Sequence, residues 1–164
     1  MNDENKAQFI DRTGWTAPDP QLWEPAIIKK AEFDSEISRL SELPPPNNGR
    51  RQSWVVHPDS ASLGAGLGMA PGVRVTLEVL NPGEQTRPIR HNSTQVNFCI
   101  LGSGHSVVAG KKISYEQYDL FNFPSMQTYI HVNDTDEVQA RLTYSNAALL
   151  EKMNVHIVEE DPPA

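Results

Sequence analysis

Residues 73–80 alternate strictly, with Val73, Val75, Leu77 and Val79 on one side and Arg74, Thr76 and Glu78 on the other. A period of two over that length predicts a strand with one buried face. Asn81-Pro82-Gly83 then reads as a turn. Val96, Phe98 and Ile100 alternate in a second strand that ends at Gly102-Ser103-Gly104, and residues 106–113 read as a hairpin with Ala109-Gly110 at its tip. Three further short strands are predicted at 119–123, 128–132 and 140–145, with Asn133, Asp134 and Asp136 as turn residues between the last two. Short strands at near-regular spacing, punctuated by turn signals, predict an antiparallel sandwich or barrel.

The flanks have a different texture. Residues 1–30 show no period and hold Trp15 and Trp23 among Pro18, Pro20 and Pro25, which predicts an irregular arm with two large apolar anchors. A short helix follows, with Asp34 as its expected N-cap and Phe33, Ile37 and Leu40 on one side. It must end before Pro44-Pro45-Pro46, which leave an extended linker. Near the other end, Asn146 is placed to cap a helix through Leu149, Leu150 and Met153, and residues 155–158 read as a last strand. The expected organisation is an arm, helix and Pro-rich linker over 1–50, a β domain over 51–158, and an acidic tail over 159–164.

Composition narrows the classes. Fourteen Lys and Arg against twenty-one Asp and Glu give a net charge of −7, a poor footprint for nucleic acid, which needs clustered cations. Residues 61–145 are nearly balanced, with six basic and seven acidic groups, so the surplus lies at the two ends, where solvation is its expected role. No apolar run approaches the ~20 residues of a spanning helix, and the opening MNDENKAQFIDR is not signal-like. The single Cys99 excludes an internal disulfide framework and any multi-cysteine metal site. A cytoplasmic protein with no nucleic-acid or membrane partner is expected. Cys99 sits in an apolar strand and reads as a small buried hydrophobe, and His57, His105 and His156 read as isolated packing or surface residues. Gly64, Gly66, Gly68 and Gly72 fit neither a dinucleotide nor a P-loop fingerprint, because a strand follows where a helix should begin.

The richest stretch runs from Pro82-Gly83 through Ile89-Arg90-His91 and Gln95 to Gly102, and is followed by Tyr118-Asp119, Pro124-Ser125 and Tyr129-x-His131-x-Asn133-Asp134. These two blocks resemble the paired motifs of the cupin family, and in detail the gentisate-type ring-cleaving dioxygenases within it. The resemblance covers residues 70–145 and implies a mainly β chain with a single cupin barrel (a double-stranded β-helix or jelly roll) carrying the arm and short helix.

Departures from the pattern carry the functional expectation. Such a metal centre takes two imidazoles from a His-x-His pair and a third from the second motif. Here those positions hold Ile89, His91 and Tyr129, and the usual Glu position holds Gln95. The resemblance therefore implies no metal and no catalytic residue in this chain, with Arg90, His91, Gln95, Tyr129 and His131 as remnants of a pocket. Length and emptied site are similar to those of the small subunit of two-component hydroquinone 1,2-dioxygenases. That likeness implies a larger cupin partner carrying Fe(II), a hetero-oligomer such as α2β2, an aromatic substrate, and cleavage of the hydroquinone ring to a hydroxymuconic semialdehyde. Trp15, Trp23 and Trp54 are the expected partner contacts. Two alternatives stand beside this reading: a metal-free epimerase or isomerase with His91 and Tyr129 as base and acid from opposite walls, and a non-catalytic ligand-binding cupin.

Overall fold

The computed structural model describes residues 6–60 and 66–163. Gly64 of the glycine-rich loop, the first five residues of the arm and Ala164 of the acidic tail lie outside the described residues.

Among the described residues, ten strands form two five-stranded sheets. Helix α1 (Lys30–Glu42) leads into β1 (Arg51–Val55), β2 (Arg74–Leu80), β3 (Ile89–His91), β4 (Gln95–Leu101), β5 (Ser103–Val108), β6 (Lys111–Glu116), β7 (Leu120–Phe123), β8 (Tyr129–Val132) and β9 (Gln139–Ser145). Helix α2 (Ala147–Lys152) and β10 (Val158–Glu160) complete the chain. One sheet runs β1-β2-β9-β4-β7, the other β10-β3-β8-β5-β6, and all named strand pairs are antiparallel. The sheets face each other as a cupin-type barrel. Among the described residues no helix is long and apolar enough to cross a membrane.

The apolar face predicted for β2 is buried, but against helix α1 outside the barrel rather than in its lumen. Leu77 and Val79 of β2 join Ala140 of β9 on the outer face of the first sheet, where Leu40, Phe33 and Ile37 of α1 cover them. The opposite faces of the same strands line the lumen, and they are polar: Glu78, Gln95, Asn97, Gln139, Arg141 and Thr143 are buried or nearly so. Strand β2 is thus buried on both faces rather than half-buried. In β4 the expected apolar face, Val96, Phe98 and Ile100, is only half-buried, while Gln95, Asn97 and Cys99 point inward. A second apolar cluster, Ile89, Val108, Phe123 and Tyr129, fills one region between the sheets.

Local chemistry explains the element ends. Helix α1 begins at Lys30 rather than after Asp34, because the Glu32 carboxylate accepts the Lys29 N–H at 2.9 Å and closes the first turn. Asp34, one turn inside, pairs with Lys30. The helix stops before the prolines, where Arg51 gathers the carbonyls of Leu40, Leu43 and Pro44 and pairs with Glu84 at 2.7 Å. The Ala109-Gly110 hairpin tip has both residues at positive φ, 48° and 77°, as a two-residue turn requires. Gly102 (φ 70°) admits no side chain, since a Cβ there would lie 2.5 Å from the Val138 carbonyl. Gly68 is tied down, its N–H donating to Ser60 Oγ and its carbonyl accepting from the His57 N–H.

The boundary expected at 158 falls inside β10, which is no free tail. Val158–Glu160 pair with Ile89–His91, and Glu159, Glu160 and Asp161 pair with Arg90, Arg50 and Arg87. The strand read at 155–158 is therefore displaced towards the C-terminus, because its backbone partner is β3 and its charges have arginines to meet.

Candidate functional site

Strands β3 and β8 are neighbours in one sheet, and β4 begins in the other. Alternation along β3 turns Ile89 and His91 inward and Arg90 outward. The Arg90 guanidinium accordingly meets Glu159 on the exterior and takes no part in the lumen. His91, Gln95, Tyr129 and His131 do converge on it.

Three of these make one hydrogen-bonded unit. Gln95 Nε2 donates to Asn97 Oδ1 at 2.9 Å, and Thr143 Oγ1 donates to the same oxygen at 2.9 Å. That fixes the Gln95 amide with Oε1 towards His91 and Tyr129. His91 Nε2 lies 2.6 Å from Gln95 Oε1 and the Tyr129 hydroxyl 3.2 Å from it, so both act as donors. The other ring nitrogen, Nδ1, accepts from Ser93 Oγ at 2.8 Å. His91 is therefore the Nε2-protonated tautomer, with neither nitrogen presenting a free lone pair. Burial lowers the His91 pKa and raises that of Tyr129, so both stay uncharged at neutral pH.

His131 lies deeper and is fully buried. Its Nδ1 is 2.7 Å from Ser106 Oγ, and its backbone N–H donates to Thr86 Oγ1. Burial first, then the charges of Arg141 and Arg50, hold its pKa well below the ordinary value. Beside it stands a charged pair that sequence reading missed. Arg141 Nη1 is 3.1 Å from Glu78 Oε2, and Arg141 Nε donates to Gln139 Oε1 at 2.8 Å. The signal was present as the polar half of each alternating strand: Thr76 and Glu78 in β2, Asn97 in β4, Gln139, Arg141 and Thr143 in β9.

The lumen does not fit a ferrous ion at the motif positions. An apolar Ile89, an imidazole whose Nε2–H is committed to an amide, and a neutral phenol are not the donor set such a centre takes. Among the described residues no three His, Cys, Asp or Glu side chains are placed to hold a metal. The geometry also departs from the epimerase alternative. His91 and Tyr129 come from adjacent strands of one sheet, not opposite walls, and their Nε2 and Oη atoms are 3.1 Å apart. No space for a substrate carbon separates them.

Other singled-out residues find separate places. Trp23 stacks on His57 with centroids 4.9 Å apart, and Trp54 lies under the Arg74 guanidinium at 3.7 Å. Both are engaged within the chain, whereas Trp15 is 60% exposed. Cys99 is buried and its thiol pKa is raised by burial. His57 anchors the arm, His105 lies 3.3 Å from Asp134, and His156 lies 3.6 Å from Glu151.

No protein-family model matches the chain. Among curated proteins it is 28% identical over 155 residues to a 5-nitrosalicylic acid 1,2-dioxygenase of Bradyrhizobium, covering 93% of this chain and 72% of that protein. It is 30% identical over 143 residues to a gentisate 1,2-dioxygenase of Haloferax, covering 85% of this chain but 37% of that protein. Among solved structures, a variant of the salicylate 1,2-dioxygenase from Pseudoaminobacter salicylatoxidans in complex with gentisate superposes with a TM-score of 0.77 at 24% identity. That match covers 86% of this chain and 39% of the other. A further structure of the same enzyme gives 0.76 at 23% identity, covering 84% and 40%. The chain thus spans about two-fifths of the length of the salicylate and gentisate dioxygenases and 72% of the Bradyrhizobium protein.

Proposed function

From a cupin-type barrel whose homologues are gentisate- and salicylate-type 1,2-dioxygenases, we propose that this chain is the small, metal-free subunit of a heteromeric ring-cleaving dioxygenase. The observation that supports the reading is the hydrogen-bonded His91–Gln95–Tyr129 unit, which sits at motif positions where the resemblance implies metal ligands. A scaffold retained while its metal positions are filled by neutral, mutually satisfied groups suits a partner of a catalytic barrel better than an independent enzyme.

On this reading Fe(II) and the ring chemistry belong to a larger cupin subunit, and the substrate is hydroquinone. Both atoms of dioxygen enter as one ring bond next to a hydroxyl breaks, giving hydroxymuconic semialdehyde with no other oxidant or reductant. A hydroquinone has one hydroxyl at each end and cannot chelate a metal through adjacent groups. Its far hydroxyl needs a hydrogen-bond partner, which the assembled complex supplies.

The test is co-expression with a larger cupin encoded beside it. Ferrous-dependent oxygen uptake with hydroquinone should require both chains, and purified alone this chain should carry no stoichiometric iron and turn over none. Activity and bound iron in the isolated chain would overturn the proposal.

A further inference from the structure

Residues 6–22 of the arm form neither helix nor strand, and their large apolar side chains are left in solvent. Phe9 is fully exposed, Ile10, Trp15 and Leu22 are largely so. The arm is fastened to the barrel from Trp23 onward, through the ring stack on His57 and the His57 Nε2–H donated to the Glu24 carbonyl at 2.7 Å. Just beyond this fastening, Ile27 and Ile28 form one wall of a groove of about 410 Å³ whose other walls include Phe33, Trp54, Val56 and Met69. Strand β1, which runs along it, is an edge strand of its sheet.

We propose that residues 9–15 of one chain occupy this groove on a second copy of the same chain, and that the exchange is reciprocal. Three observations select that occupant. The first is reach. The stretch from Trp23 back to Phe9 extends about 45 Å at ~3.3 Å per residue, and Pro18 and Pro20 hold it extended. A chain of this length has a radius of gyration of only about 15 Å, so the arm reaches past its own barrel.

The second is charge. Among the described residues, the charged side chains lining the groove are Glu32 and Glu36, whereas residues 6–15 of the arm carry Lys6 and Arg12 against a single acid, Asp11. The third is area. Phe9 and Trp15 from two arms bury about 800 Å² at ~200 Å² per ring. The walls they cover add a comparable area, which brings the total to the ~1,600 Å² of a standard stable interface. Arm and groove lie on one chain, so a single two-fold operation satisfies both at once and closes the assembly.

Size-exclusion chromatography with light scattering on the full chain tests this. The expected mass is twice the 18.3 kDa of the chain. Phe9→Asp/Trp15→Asp should halve that mass while leaving the far-UV circular dichroism of the barrel unchanged, because Phe9 is fully exposed and Trp15 largely so on their own chain. Ile27→Glu, which charges the groove wall, should halve it as well. A full chain that is monomeric, that associates only with a larger cupin subunit, or that stays dimeric as Phe9→Asp/Trp15→Asp would overturn the proposal. The readout involves no turnover, so it stands or falls separately from the assignment of ring cleavage to a partner.

Discussion

Gln95 accepts from His91 and Tyr129 through one oxygen and is oriented by Asn97 through its nitrogen. It therefore decides what the lumen can do. Replacing it with Ala strands two buried donors, which costs about 1–3 kcal/mol and should appear as a lowered melting temperature. Gln95→Glu keeps the acceptor and adds a charge beside His91. The His91 pKa, lowered by burial in the wild type, should then rise, a change that NMR titration of the ring reads directly. Deeper in the lumen, Arg141→Met leaves the Glu78 carboxylate buried without its cation, at a cost of about 3–5 kcal/mol. The double variant Arg141→Met/Glu78→Gln should recover much of that loss, because the stranded charge is gone. Both buried imidazoles also set a pH dependence. The folded-state pKa values of His91 and His131 lie below that of an unfolded histidine, so the unfolded chain binds more protons as acidity rises. Their stabilising contribution is complete above about pH 6.5 and is lost as pH falls through the folded values. The melting temperature should drop between pH 7 and pH 5, and His131→Asn should flatten that drop.

At the scale of elements, the strands were legible from periodicity but the side on which each buries its apolar face was not. Alternation in β2 and β4 says that two faces differ. It does not say whether the apolar one meets the opposing sheet or an external helix, and here α1 takes it. Leu40→Ala should accordingly cost about 2–5 kcal/mol, although Leu40 lies outside the barrel proper in sequence. In the sequence Glu159, Glu160 and Asp161 look like a solvated end, yet Glu159 and Glu160 belong to strand β10. Its partners Arg50, Arg87 and Arg90 are distant in sequence, so local pattern could not reveal them. Pairs this exposed on the acidic side are worth only about 0–1 kcal/mol each and are screened by salt. Raising the ionic strength towards 1 M should speed amide exchange in residues 158–160 while leaving β2 and β9 protected.

At the scale of the whole molecule, the barrel was legible in the two motif blocks around His91 and Tyr129. Two things were not. The Glu78–Arg141 pair comes from strands β2 and β9, far apart in the chain, and nothing local marks either residue. Arg90 belonged to the motif by sequence, yet alternation from His91 sends it outside. What emerges is a barrel with a polar lumen in which His91, Gln95 and Tyr129 satisfy one another while His131 Nε2 and the Arg141 guanidinium nitrogens Nη1 and Nη2 have no hydrogen-bond partner among the described residues, an external core under α1, and an arm with exposed apolar side chains. On the proposed reading, this lumen holds no iron and ring cleavage belongs to a larger partner subunit. Metal analysis of the purified chain, alone and after reconstitution with Fe(II) under anaerobic conditions, tests it most directly. No stoichiometric iron is expected, nor any gain of iron on reconstitution, with the His91→Ala variant indistinguishable from wild type. Close to one iron per chain, lost on His91→Ala, would contradict it.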